Sequence, residues 1–160
     1  MSIYQMTDGQ LLKLAADAFD DANLFESSIG AGWTYWIGFC EQLQCDVTRI
    51  WDPLQDDGDA LRLVVKLRLQ VVMNVDWVEV LQDGIVMANA ASVYFAGCMF
   101  ATARAAIVRA AAESQRRQNE ERACDHCRGE GRVGGPAPDE GGGKNCGSCG
   151  GTGLYSEVQP

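Results

Sequence analysis

The sequence predicts an α+β fold: a small antiparallel sheet with a hairpin, packed by about three helices in a sandwich-like arrangement, with a C-terminal cysteine-rich appendage. Three observations carry this. Apolar residues recur at helical spacing after residues 8, 59 and 92. Aromatic and β-branched runs lie between these segments, and two of them flank Asp83-Gly84. The last 37 of the 160 residues are rich in glycine and hold two Cys-x-x-Cys pairs.

The elements follow in chain order. Thr7-Asp8-Gly9-Gln10 reads as a capping box, in which the Thr7 hydroxyl and the Gln10 amide satisfy each other's backbone N–H. Leu11, Leu14, Ala15, Ala18 and Ala22 then share one helical face, so a helix is expected over 8–22. Ser27 to Gly32 is small and turn-like, and Trp33 to Phe39 suits a strand. Val47, Ile50 and Trp51 suggest a short second strand, which Asp52-Pro53 ends because proline lacks a ladder donor. Asp56-Asp57-Gly58-Asp59 is an acidic turn with Asp59 as a candidate N-cap. Ala60, Leu63, Val64, Leu67 and Val71 share a helical face beyond it, although 61–69 also alternates partly like a strand.

Val75 to Val80 and Ile85 to Ala88 form the expected hairpin around Asp83-Gly84. From Ser92 the pattern is helical to about Glu121, on a stripe of Val93, Ala96, Phe100, Ala103, Ile107 and Ala110. Residues 85–103 carry no charge over 19 positions. They read as a buried strand followed by a helix start rather than a membrane span, since alanine drives insertion weakly and Asn89, Ser92 and Thr102 interrupt the run. No membrane contact is expected.

Charge and motifs narrow the function. Thirteen Lys and Arg stand against 22 Asp and Glu, a net charge of −9. Such a surface disfavours nucleic acid as a partner, because phosphate binding needs excess positive charge. One histidine excludes any site built on several imidazoles, and no P-loop, Gly-x-Ser-x-Gly or His-Glu-x-x-His motif occurs. The expectation is a protein that is not an enzyme.

The seven cysteines are the sharper signal. No secretory leader is evident near the N-terminus, so a reducing, cytoplasmic setting is expected, where clustered cysteines are metal ligands before they are disulfides. Cys124 and Cys127 form one pair, Cys146 and Cys149 the other, with 18 residues between Cys127 and Cys146. Each pair needs one tight turn to aim both sulfurs at one ion, and two turns complete a tetrahedron of thiolates. One structural Zn2+ is expected there, with His126 facing solvent. Cys40, Cys45 and Cys98 sit among apolar residues and read as buried thiols.

Both pairs continue alike, as Cys127-Arg128-Gly129-Glu130-Gly131 and Cys149-Gly150-Gly151-Thr152-Gly153. This repeat resembles the cysteine-rich zinc region of DnaJ-type co-chaperones, over about 30 residues and with two of the four repeats usual there. Two repeats suffice for one zinc. No J domain or His-Pro-Asp motif accompanies them, so the resemblance does not extend to co-chaperone activity.

Trp51-Asp52-Pro53-Leu54-Gln55-Asp56-Asp57-Gly58-Asp59-Ala60-Leu61-Arg62-Leu63, followed by the helix Ala103-Arg104-Ala105-Ala106-Ile107-Val108-Arg109-Ala110-Ala111-Ala112-Glu113, resembles the phage ABA sandwich family over about residues 5–115. The resemblance implies the fold and a tailed-phage or prophage origin, hence a host bacterial cytoplasm, and no defined activity. The expected organisation is a domain over 1–122, a zinc knuckle over 123–155 with a flexible Gly/Pro loop, and a tail over 156–160. The expected role is a phage accessory protein that binds a host or phage protein. The alternatives are a nucleic-acid-linked regulator using the zinc knuckle and a protein that sequesters a small nucleotide signal. Trp33, Trp36, Trp51, Arg104 and Arg109 are the candidate ligand or partner surface, because indole and guanidinium groups stack on and pair with such molecules. The bland alternative gives the tryptophans to core and sheet packing and the arginines to solvated or capping positions. The aspartates of the acidic turn are helix caps first and cation ligands second, as the EF-hand spacing is missing.

Overall fold

The computed structural model describes residues 2–27, 32–124, 126–127, 132–133 and 144–149. The chain divides into two compact units, Met1–Gln115 and Arg116–Pro160. The first is α+β, with two three-stranded antiparallel sheets and helices packed with them around one core.

Helix α1 spans Asp8–Phe19. Its capping box is present: Thr7 N–H donates to Gln10 Oε1 at 2.9 Å, and Gln10 N–H donates to Thr7 Oγ1 at 3.4 Å. The helix stops three residues short of the expected end because Asp20 turns left-handed, at φ 42°. The chain then forms β1 (Leu24–Glu26), β2 (Trp33–Cys40) and β3 (Cys45–Trp51), a sheet in that order. Trp33 pairs with Trp51 at one end of the β2–β3 ladder and Cys40 with Cys45 at the other. A bulge between Trp36 and Gly38 inserts Ile37 as an extra residue.

Helix α2 spans Asp57–Lys66, and its N-cap is Asp56, not Asp59. Asp56 accepts from Asp59 N–H at 2.8 Å, which leaves the Asp59 carboxylate for other work. The helical pattern through Val71 is overruled at Arg68, which is left-handed at φ 53°. Arg68 N–H donates to Val65 O and Leu69 N–H to Val64 O, a Schellman ending with arginine where glycine is usual. Gln70 and Val71 therefore lie on β4 (Gln70–Met73), which pairs with β5 (Trp77–Gln82) and through it with β6 (Ile85–Ala91). Asp83 and Gly84 both have positive φ, as the tight β5–β6 turn requires.

A short 3-10 turn covers Ser92–Phe95 and ends on left-handed Ala96 and Gly97. Helix α3 then runs Met99–Glu121. The break shifts the helical phase, so Val93 and Phe100, expected on the buried stripe, are exposed. Ile107 and Ala110 of that stripe are buried as expected, and Thr102, Ala106 and Ala111 complete the buried face. The core joins this alanine face to Leu11, Ala15 and Phe19 of α1, Leu63 of α2, Val78 and Val80 of β5 and Ala88 of β6. No helix among the described residues is long and apolar enough to cross a membrane.

Asp59 ties the end of β3 to the start of α2. Its carboxylate is fully buried and accepts from both terminal nitrogens of Arg49 on β3, one of them at 3.0 Å. Arg62 and the Asp52 backbone N–H complete the set, each at 3.1 Å. Hydrogen bonding to Asp59 holds the Arg49 guanidinium above its ordinary pKa.

Candidate metal centre

The end of α3 leads directly into the cysteines. Arg122 N–H and Ala123 N–H close the helix on Gln118 O and Glu120 O. Cys124 follows, then a tight turn through His126 and Cys127. The second pair is brought up by a two-residue ladder between β7 (Arg132–Val133) and β8 (Lys144–Asn145), in which Arg132 pairs with Asn145 and Val133 with Lys144. Cys146 follows β8 at once, and Gly147 to Cys149 make the second turn. The flexible Gly/Pro loop expected over 133–145 is corrected at its ends, since Val133, Lys144 and Asn145 belong to this ladder; residues 134–143 lie outside the described residues. So do the repeat glycines 129, 131, 150, 151 and 153 and the tail 156–160.

The four sulfurs of Cys124, Cys127, Cys146 and Cys149 lie within 4.8 Å of one another, and all four residues are buried. Cys124 Sγ is 3.8 Å from Cys146 Sγ, and Cys127 Sγ is 3.7 Å from Cys149 Sγ. A disulfide would bring the sulfurs to about 2.0 Å, and no disulfide joins any of the seven cysteines. Four sulfurs each about 2.3 Å from one central ion form a tetrahedron with edges of about 3.8 Å. The thiols thus fit a metal ion, and their spacing is compatible with zinc. His126 is exposed and outside the cluster, as expected.

The electrostatics favour thiolate. Burial pushes the Cys124 thiol up, but the backbone N–H groups of Cys127 and His126 and the neighbouring thiols outweigh it, so its pKa falls below the ordinary value. Metal binding needs this form.

The other candidates do not converge. Trp51 is 1% exposed and stacks on Phe19 with ring centroids 6.1 Å apart, so it belongs to the core and not to a surface. Its Nε1 has no hydrogen-bond partner among the described residues. Trp33 packs against the same core. Trp36 is on the opposite face of the sheet, exposed, with Nε1 donating to Asp46 at 3.1 Å. Arg104 donates to Leu54 O at 2.8 Å and pairs with Asp57 at 2.6 Å. Arg109 lies over the rings of Tyr4 and Phe95. Arg104 and Arg109 do line one cavity, but at about 180 Å3 it is smaller than sites that enclose small molecules. The acidic turn is likewise committed to protein donors: Asp52 to Leu54 N–H, Asp56 to the cap, Asp57 to Arg104 and Asp59 to two arginines.

Three cysteines depart from expectation. Cys40 is half-buried, and Cys45 and Cys98 are exposed. The first two close the far end of the β2–β3 hairpin, beyond the part that packs on the core, and Cys98 sits just before α3. The apolar residues around Cys40 and Cys45 in sequence are themselves exposed: Ile37, Phe39, Leu43 and Val47. No protein family, no curated protein and no solved structure matches the chain.

Proposed function

We propose that Cys124, Cys127, Cys146 and Cys149 hold one structural Zn2+, and that the chain is a non-enzymatic accessory protein that acts by binding another protein. The zinc assignment is supported by the sulfur separations of 3.7 and 3.8 Å. Bound zinc there supplies a cross-link between the two Cys-x-x-Cys turns, and four thiolates leave no coordination position for water or substrate.

The single observation that carries protein binding is the β2–β3 hairpin. It exposes Trp36, Ile37, Phe39, Leu43, Val47 and Ile50, with Leu43 at 74% and Ile50 at 78% exposure. Exposed apolar side chains gathered on one arm of an otherwise acidic protein, on both faces of its ladder, mark a contact surface. The net charge of −9 steers the chain toward partners with a basic rim. The resemblance to the phage ABA sandwich family supports a phage or prophage origin, with a partner from host or phage in the bacterial cytoplasm. An affinity capture with Ile50→Lys as control tests this. A stoichiometric partner held by the parent chain and lost by the variant is the expected result. Equal recovery by both would remove the hairpin from the interaction. A salt-dependent shift of DNA or RNA would favour the nucleic-acid reading instead.

A second reading, sequestration of a small molecule, has one observation in its favour. A groove of about 460 Å3 lies between α2, β4 and α3, lined mostly by apolar residues such as Leu61, Val64, Val71 and Ile107, with Asp57 and Arg104 among its lining. Its size suits a ligand, and its apolar lining suits an apolar one better than a nucleotide signal. Thermal-shift screening with apolar and nucleotide ligands separates the two.

A further inference from the structure

We infer that Cys40 and Cys45 form a reversible dithiol–disulfide couple, a modification site whose reaction partner is a small-molecule disulfide. The two residues face each other directly as the last rung of the β2–β3 ladder. Residues directly opposite in an antiparallel pair hold their Cβ atoms about 4.5–5.5 Å apart. A disulfide needs about 3.5–4.5 Å between Cβ atoms and about 4.4–6.8 Å between Cα atoms. Rotation of the side chains and a small approach of the strands close that gap.

The hairpin end can accommodate this approach. Neither cysteine belongs to the core cluster, and only the loop Glu41 to Gln44 joins them. Cys45 is exposed, which lets an external disulfide reach its sulfur. Cys40 is half-buried, and among the described residues its thiol donates a loose hydrogen bond, at 3.9 Å, to the Gln42 side-chain oxygen. These features assign attack to Cys45 and resolution to Cys40. The remaining cysteines do not compete: four form the buried metal cluster, and Cys98 has no ladder partner.

The chemistry balances in two exchanges. The Cys45 thiolate attacks one sulfur of the small disulfide, forming a mixed disulfide and releasing one small thiol. The Cys40 thiolate then attacks the Cys45 sulfur, forming the intramolecular bond and releasing the second small thiol. The protein loses two electrons and two protons, and the two small thiols gain them. The bond closes a very short loop, so it restrains the unfolded chain little. Cross-strand strain makes such a bond easily reduced, which suits a reversible modification rather than a permanent staple.

The test treats the full, metal-loaded chain with oxidised glutathione over a range of reduced-to-oxidised ratios, followed by acid trapping and peptide mapping. The expected product is one intramolecular bond between Cys40 and Cys45, read as the loss of two hydrogens and reversed by reduced glutathione. Cys40→Ser is expected to stop at a glutathione adduct on Cys45 that persists, and Cys45→Ser to lose at least tenfold in the rate of first attack. Separate adducts on both cysteines of the parent chain, a bond to Cys98, a bond between two chains, or no bond at any ratio would each overturn the assignment. The decisive readout is on the unmutated chain, so a variant that folds poorly leaves it intact.

Discussion

The units Met1–Gln115 and Arg116–Pro160 reach order by opposite routes. The first closes a continuous apolar core over three helices and six strands, and its one fully buried carboxylate, Asp59, is matched by two arginines and a backbone N–H. In the second, the buried cluster among the described residues consists of four cysteines. Burial scales with chain length, and the described residues of this 45-residue unit, the end of α3, the β7–β8 ladder and the two cysteine turns, have little apolar surface to remove from water. The lesson is that order in a short glycine-rich segment has to come from strong bonds at a few points, whereas a longer unit spreads the same task over many weak contacts.

The largest test of this contrast is metal removal. Structural zinc contributes on the order of 10 kcal/mol in small zinc modules. A strong chelator, or Cys146→Ser with Cys149→Ser, is expected to abolish hydrogen-exchange protection around the four cysteines. The unfolding transition of the first unit should stay within about 0.5 kcal/mol of its starting value, as expected for independent sites. A collapse of both units together would break the comparison.

Next in size is Asp59→Ala. Removing one partner of a fully buried ion pair costs about 3–5 kcal/mol, and because Arg49 and Arg62 stay partly in solvent the loss here should fall near or below the low end, about 2–3 kcal/mol. The urea midpoint of the first unit should fall sharply while the metal stoichiometry of the second is unchanged. Thr7→Ala removes half of the α1 capping box and should cost about 1 kcal/mol, read from the same transition.

The smallest effect is a pH dependence at Asp21. The Asn23 backbone N–H, against a smaller opposing effect of burial, and the Tyr35 hydroxyl lower its pKa below the ordinary carboxylate value. A folded-state pKa below the unfolded one adds stability above the ordinary carboxylate range, and that stability is lost as pH falls through the folded value. The difference in urea midpoint between the parent chain and Asp21→Asn should therefore shrink on acidification. A gap that is constant or widens would contradict the sign.

Much of this was legible in the residues, and the division follows a physical line. Signals that act within a few positions were read correctly: Thr7 with Gln10, Asp83-Gly84 as a turn, and two Cys-x-x-Cys pairs as one cluster. Tertiary demands were not readable. Arg68 adopts left-handed geometry without being glycine, so the end of α2 carried no local mark; before α3 the mark was Gly97 alone, beside a left-handed Ala96, and the apolar periodicity ran across it. Asp59 looked like a cap because capping residues and buried ion-pair residues are the same residue types, and only the fold brings Arg49 beneath it. Cys40, Cys45 and Cys98 looked buried because hydrophobic neighbours in sequence suggest a core, and the hairpin carries the first two away from it.

The arrangement around Asp59 also bears on the order in which the chain folds. Its partners, Arg49, Asp52 and Arg62, and the cap at Asp56 all fall within residues 49–62. Closing so short a segment loses little chain entropy, whereas joining α1 to α3 must close a loop of some eighty residues. The segment from the end of β3 through α2 is thus placed to organise early, and α3 to dock late. Substitutions at Asp59 should then slow refolding, and substitutions such as Ala110→Gly on α3 should mainly speed unfolding.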